Sequence, residues 1–153
     1  YLIVGCDCRW VVIDHLHMLV SSMTEGDERR AIDNIMTRIR SIVEETGAGI
    51  ILVSHLRKIQ GDRGHENGVS VSLSHLRGSN SIAQLSDTVI ALERNQQAED
   101  DLESRTTKLR VLKCRYTGDV GMATALTYDK ETGRLSEINN DELFNFNEED
   151  IPF

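Results

Sequence analysis

Two short runs of wholly apolar residues, 10–13 (WVVI) and 50–53 (IILV), constrain this chain more than any other feature. A strand without polar alternation expects cover on both faces, as in a parallel sheet. Between the runs, Ala31, Ile32, Ile35, Met36, Ile39, Ile42 and Val43 recur in steps of mostly three or four residues. That is the spacing of one helix face. Arg29, Arg30, Asp33, Arg38, Arg40, Glu44 and Glu45 fall largely on other faces. The pattern predicts a helix over 28–46, with Thr24 and Asp27 as capping candidates and Gly47 at its end. Strand, helix, strand in this order makes a βαβ unit with a right-handed crossover. The expected class is therefore α/β.

Downstream, a short helix is expected over 79–85 after Gly78, and a third buried strand over 88–92. Residues 95–105 are polar and acidic and read as an exposed turn. Alternating strands follow at 108–114 and 122–128 around a 117–119 turn, with a last short strand at 134–138 after the 129–133 turn. There is no internal repeat. Residues 56–70 form a long polar stretch with Gly61, Gly64 and Gly68, and a loop of that length inside a compact domain is usually functional. After Asn139 the composition predicts disorder.

Composition narrows the class. Hydrophobic residues make up 39% and charged residues 27%, as in a globular protein. No apolar run reaches membrane-spanning length, and no signal peptide pattern is present. The opening at Tyr1, within domain-like sequence, is expected of a piece of a longer chain. Cys6, Cys8 and Cys114 suit a reducing compartment. Cys6 and Cys8 lack a second close pair, which disfavours a metal reading. The net charge is −8, but six acids and no Lys or Arg fall in 137–153, so the rest is close to neutral. An acidic average here does not exclude nucleic acid as a partner.

Several residues can carry chemistry. In open α/β sheets, ligands bind beyond the carboxyl ends of the strands. Asp14 and His55 each stand at such an end, so parallel strands would put them on one rim. Asp14 can hold Mg²⁺ near a nucleotide phosphate, or it can merely close a turn. His55 can be a ligand-facing or a purely structural histidine. Lys113 and Arg115 flank Cys114 and point the same way from a strand. They can grip a phosphate, or they can form an ordinary solvated pair. Arg57, Lys58 and Arg63, interrupted by Asp62 and Glu66, suit a nucleic-acid backbone or a plain surface loop. Arg77-Gly78-Ser79-Asn80 opens a short helix, which can bind an anion or simply be well capped. No aromatic residue interleaves the basic loop, so base stacking is not expected there.

Taken together, VVIDH (11–15), ILVSHL (51–56), LRGSNSIAQLSDTVIALERNQQ (76–97), LKCRYTGDVG (112–121) and YDKETGRL (128–135) resemble the helicase half of phage primase–helicases, with Twinkle and DnaB as more distant relatives. The resemblance covers residues 1–138. It implies the carboxyl-terminal portion of a RecA-like motor domain, a mostly parallel sheet flanked by helices with an antiparallel β extension. It also implies a hexameric ring around single-stranded DNA, with Mg²⁺ and ATP or dTTP between neighbours. By position, Asp14 is similar to the Walker B aspartate that holds Mg²⁺ through water. His55 resembles the sensor of the terminal phosphate, with Gln84 in the same relay. Arg115 resembles the arginine finger, with Lys113 assisting. Arg94 and Tyr128 resemble the pair around the nucleotide base. Arg57, Lys58, Arg63 and Arg77, Gly78, Ser79 and Asn80 fall in DNA-contacting loops. Two departures stand out: Gly61 and Ala83 occupy places where a basic residue is expected. No GxxxxGK[ST] phosphate loop occurs in the 153 residues.

The end of the chain, Glu148-Glu149-Asp150-Ile151-Pro152-Phe153, also resembles the acidic tip of bacterial single-stranded DNA-binding proteins. Within the 139–153 tail, a terminal Phe can fill an apolar pocket while the acids steer the approach. The replicative polymerase, or a reader of that acidic tip, is the expected partner.

The implied function is NTP-driven 5′-to-3′ translocation on single-stranded DNA and duplex unwinding. The expected setting is the cytoplasm of a bacterial or phage-infected cell, at the replication fork, rather than a mitochondrion or a membrane. A RecA-like recombinase and a non-enzymatic adaptor acting through the tail are the alternatives. Lacking a phosphate loop, this chain alone is expected to hydrolyse no nucleotide. Phosphate release by the 153-residue chain, compared with an Asp14→Ala, Arg115→Ala double variant, checks this; turnover above that control overturns it.

Overall fold

The structure, a computed structural model, describes residues 1–22, 24–59 and 64–138. In chain order its elements are α1 (Leu2–Cys6), β1 (Trp10–Ile13), α2 (Glu25–Thr46), β2 (Gly49–Leu52), α3 (Ser81–Leu85), β3 (Thr88–Glu93), α4 (Asp101–Arg105), β4 (Thr106–Cys114), β5 (Gly121–Tyr128) and β6 (Leu135–Glu137). The residues divide into two compact units. The first comprises Tyr1–Arg57 and Ser72–Ser86; the second comprises Lys58–Val71 and Asp87–Phe153.

The first unit is built on the predicted βαβ. β1 and β2 pair in parallel, from Trp10↔Gly49 to Ile13↔Leu52. α2 begins three residues earlier than the apolar spacing indicates. Thr24 takes the N-cap position, but its hydroxyl donates to Asp27 Oδ2 at 2.7 Å rather than capping the backbone. Gly47 ends the helix at φ 68°, its N–H bonded to the Val43 carbonyl at 2.8 Å.

The core of this unit gathers Leu16, Val20, Ile32, Met36, Leu76 and Ile82. Leu16 and Val20 lie on a 3-10 turn over Leu16–Val20 that the periodicity does not reveal. Five residues are too few to show a helical repeat. With Ile32, they are the largest fully buried side chains.

The expectation of strands buried on both faces is corrected. Trp10 is 69% exposed, Val12 64% and Ile51 51%. Alternation along a strand puts these on one face, while Leu52 packs toward the core beneath α2. Within the described residues, the pair is therefore covered on one side. The Trp10 ring lies over Gly49, where a Cβ would run into it.

The second unit is an antiparallel sheet in the order β3-β4-β5-β6. Thr88↔Cys114 through Glu93↔Lys108 join β3 to β4, with a bulge between Val89 and Ile90. The strand expected to be the third buried one thus begins an antiparallel sheet, with Ile90 and Leu92 more than half exposed. The polar 95–105 segment is not simply a turn. It contains α4, capped by Asp100, whose carboxylate accepts the Glu103 N–H at 2.7 Å. Its sequence signal was the Asp100-x-x-Glu103 spacing of a capping box, without an apolar face to announce a helix.

Glu93 ties the long loop to this sheet. It is buried, and its carboxylate accepts the Val71 N–H at 2.7 Å and Arg110 Nε at 3.0 Å. Gln96 N–H to the Glu66 carbonyl at 2.9 Å and the Asn67↔Asn95 bridge add to the tie. The predicted tail, 139–153, lies outside the described residues.

Glu93→Ala strips a buried N–H and a half-buried guanidinium of one shared acceptor. The expected loss is about 2–4 kcal/mol, with a smaller loss for Glu93→Gln, whose amide oxygen still accepts from Val71. Thermal unfolding followed by circular dichroism checks the order; equal losses would put the energy in packing instead.

Candidate functional site

Parallel pairing continues past the ends of β1 and β2. The Val53 N–H reaches the Ile13 carbonyl at 2.9 Å, and the Leu16 N–H reaches the Val53 carbonyl at 3.0 Å. The segments carrying Asp14 and His55 therefore leave the sheet side by side, as expected of strand ends on one rim. Asp14 is exposed. Next to it, the His15 and His55 rings have centroids 3.9 Å apart, and His17 stacks near His55 at 5.6 Å and 16°. His17 is only 6% exposed. Burial is the largest influence on it and holds its pKa below the usual imidazole value. The hydrogen bond to the Arg77 carbonyl opposes this, the Arg77 charge adds to it, Glu28 opposes it, and His55 adds to it.

The turn at 77–80 is fastened to this rim. The Arg77 N–H donates to the His55 carbonyl at 3.0 Å, and the Arg77 carbonyl bonds His17 Nε2 at 3.1 Å. Gly78 sits at φ 102°, which favours glycine, and a Cβ there would lie 2.5 Å from Ile32 Cδ1, whose tip would have to shift. Ser79 is buried, and its hydroxyl donates to Asp33 in a short hydrogen bond. Hydrogen bonds from Ser79 and then Ser81 hold the Asp33 carboxyl below the ordinary aspartate range. The Arg57 N–H donates to the His75 carbonyl at 2.8 Å, and its guanidinium reaches the Leu76 carbonyl at 3.1 Å. Arg77 leans to Glu28 at 3.7 Å while staying half exposed.

These positions sort the residues assigned to DNA. Arg57 and Ser79 direct hydrogen bonds inward and brace the turn. Lys58, Arg77, Gly78 and Asn80 are exposed, as is Arg57, while Ser79 is buried. Arg63 lies outside the described residues. The helix start expected to offer free amides is altered too: α3 begins at Ser81, whose N–H is already bonded to Ser79 Oγ at 3.2 Å.

Gln84 is exposed on α3, with its N–H bonded to the Asn80 carbonyl at 3.0 Å. In the second unit, Lys113 pairs across from Val89 on β4. Arg115 follows the strand; its N–H bonds the Asp87 carbonyl at 2.8 Å and its guanidinium meets Asp87 Oδ1 at 3.1 Å. Arg94 Nε donates to the Ser104 carbonyl at 2.7 Å, and Arg105 reaches the Tyr128 carbonyl at 3.5 Å. Both members of the expected base-packing pair are thus tied to the last turn of α4.

Sequence reasoning missed His15, His17, Asp33 and Asp87. A signal existed for the histidines: three of the chain's five follow directly on the two apolar runs. Asp33 lies on the predicted helix among other charges, and only the fold brings Ser79 to it.

A family model described as the DnaB-like helicase C terminal domain matches residues 5–137. Over 135 residues, 88% of this chain, the sequence is 42% identical to the DNA helicase/primase of Enterobacteria phage T3. The match covers 23% of that relative, so the chain spans about a quarter of the curated relative's length. Among the described residues, no helix is long and apolar enough to cross a membrane.

Gly78→Ala forces a left-handed backbone on a side chain that also meets Ile32. The expected cost is about 1–3 kcal/mol, read as a lowered melting temperature. Unchanged melting would mean that the turn relaxes freely and is not fastened as described.

Proposed function

The chain belongs to the DnaB-like helicase C-terminal domain family, and from that premise we propose that residues 1–138 form the carboxyl-terminal portion of a RecA-like ring motor that couples NTP hydrolysis to 5′-to-3′ movement on single-stranded DNA and duplex unwinding. The observation that carries this reading is the clamped Arg77 peptide, held by the His55 carbonyl on one side and the His17 imidazole on the other. A nucleotide phosphate at the Asp14 rim would bear on His55. Any shift of His55 then pulls directly on the turn whose exposed members, Arg77, Gly78 and Asn80, can meet DNA phosphates.

The remaining roles follow the family resemblance. Asp14, a lone exposed carboxylate at the carboxyl end of a strand, fits a hard cation that keeps most of its water. Mg²⁺ held there would neutralise phosphate charge. His55 reads the terminal phosphate of ATP or dTTP, with Gln84 in the relay. Arg94 and Tyr128 pack about the base. Arg115 serves the site of a neighbouring subunit in a hexamer, assisted by Lys113, and rests in an ion pair with Asp87. Lys58 and Arg63 would add backbone contacts to DNA, and Arg57 would brace them. The tail, Glu148 to Phe153, would dock to the replicative polymerase or to a reader of the single-strand-binding tip. The setting is the cytoplasm of an infected or bacterial cell.

The test uses the full-length protein in single-turnover NTP hydrolysis, with and without single-stranded DNA, with Arg115→Ala subunits mixed into wild type. A trans-acting finger is worth about a thousandfold or more in rate. Mutant subunits should therefore suppress DNA-stimulated hydrolysis out of proportion to their number. A linear fall removes the finger from the neighbour's site. Absence of any hydrolysis favours the adaptor reading, and filaments rather than rings in electron micrographs favour a recombinase.

A further inference from the structure

We propose that His15, His17 and His55 form a binding site for a divalent transition metal of borderline softness, with Zn²⁺ the best fit. Each ring offers one nitrogen, and these atoms all lie within 4.8 Å of one another. A tetrahedral Zn²⁺, with bonds of about 2.0–2.1 Å, would draw its nitrogens to about 3.3 Å apart. His17 is buried, His15 half-buried and His55 exposed. The two inner rings therefore present a fixed pair of donors, and the exposed His55 ring is the one with room to swing in.

The second observation concerns what the inner rings lack. His17 is more than nine-tenths buried, and its Nε2 is engaged with the Arg77 carbonyl at 3.1 Å. A carbonyl only accepts, so Nε2 carries the proton and Nδ1 carries a lone pair. That Nδ1 is buried and has no hydrogen-bond partner, and the same holds for His15 Nδ1. A buried lone pair left unpaired costs free energy; a metal ion bound at His17 Nδ1, and at His15 Nδ1 in the tautomer that leaves it unprotonated, would recover it. The bond from Nε2–H to a backbone carbonyl is the outer-shell contact that fixes the tautomer and orientation of a metal-binding histidine.

The donor set also fixes the class of ion. Imidazoles suit Zn²⁺, Co²⁺, Ni²⁺ or Cu²⁺, whereas Mg²⁺ and Ca²⁺ take oxygen. The site is therefore distinct in chemistry from the neighbouring Asp14 carboxylate. Three protein ligands with one side toward solvent leave a coordination position open to water. Occupancy would also immobilise the His55 ring, a consequence that rests on the sensor role proposed above. The binding test below does not depend on it.

The full-length protein, stripped with chelator, is titrated with Co²⁺ as an optical probe. The contribution of this site is the difference between wild type and His17→Gln. Wild type should gain the visible bands of nitrogen-bound, low-coordinate Co²⁺, bleached by added Zn²⁺. His17→Gln should bind at least about tenfold more weakly. Bands that are absent, or identical in the two proteins, overturn the proposal and leave the cluster as a packed stack of rings. Should His17→Gln fail to fold, the wild-type melting temperature decides. A rise with Zn²⁺ that chelator reverses and that His55→Ala lacks supports the site; no rise, or the same rise in His55→Ala, overturns it.

Discussion

The peptide of Arg77 is hydrogen-bonded from both sides, and the rest of the first unit is arranged to keep it so. Its N–H is spent on the His55 carbonyl and its carbonyl on the His17 ring. For His55 to be there, β2 must run parallel to β1 and leave the sheet beside it. For His17 to be there, the chain must turn at once after Asp14, which the 3-10 turn Leu16–Val20 achieves by burying Leu16 and Val20 against Ile32. Ile32 in turn lies where a Cβ at Gly78 would point. One core residue thus supports the rim and shapes the turn. Packed cores transmit displacement because they have few voids to absorb it.

The same economy explains why two residues assigned to DNA by resemblance, exposed Arg57 and buried Ser79, spend hydrogen bonds on the protein itself. Arg57 donates to the Leu76 carbonyl, and Ser79 donates to Asp33. An exposed turn has to keep its shape without secondary structure, so side chains take over some of the backbone's unmet hydrogen bonds. The exposed members of the turn are Arg77, Gly78 and Asn80, the ones proposed above to meet DNA.

How much of this was legible in the sequence follows physical range. The βαβ, the helix cap at Gly47 and the β4–β5 hairpin are written in local periodicity and turn residues. Helix α2 and both parallel strands were therefore read to within a few residues. The exposure of Trp10, Val12 and Ile51 was not legible, because an apolar run reports only that cover is favoured. It does not say whether the cover lies within the same 153 residues. Such a face, at about 25 cal/mol per Å² of apolar surface, is a physical reason to measure function on the full-length protein. β3's antiparallel partner was hidden for a related reason: strand propensity does not name the neighbour. Asp14 and His55 stood out in the sequence as titratable residues just beyond apolar runs, and the structure places both on one rim. Asp33, Asp87 and the His17 contact did not stand out, since each acts on a residue tens of positions away.

The Arg115–Asp87 pair suits the finger role proposed for Arg115. Its guanidinium sits on Asp87 while remaining 42% exposed. An ion pair that open to water contributes about 0–1 kcal/mol, enough to favour one direction for a long side chain but not to bind it. A phosphate group offers the same planar fork two charged oxygens, and in a site closed to water each such bond is roughly twice as strong as a neutral one. On the finger role proposed for Arg115, Asp87 would be a weak resting partner that a nucleotide phosphate could replace. Lys in the same place would give up the bidentate geometry, and an Asp87 buried with its partner would make release expensive.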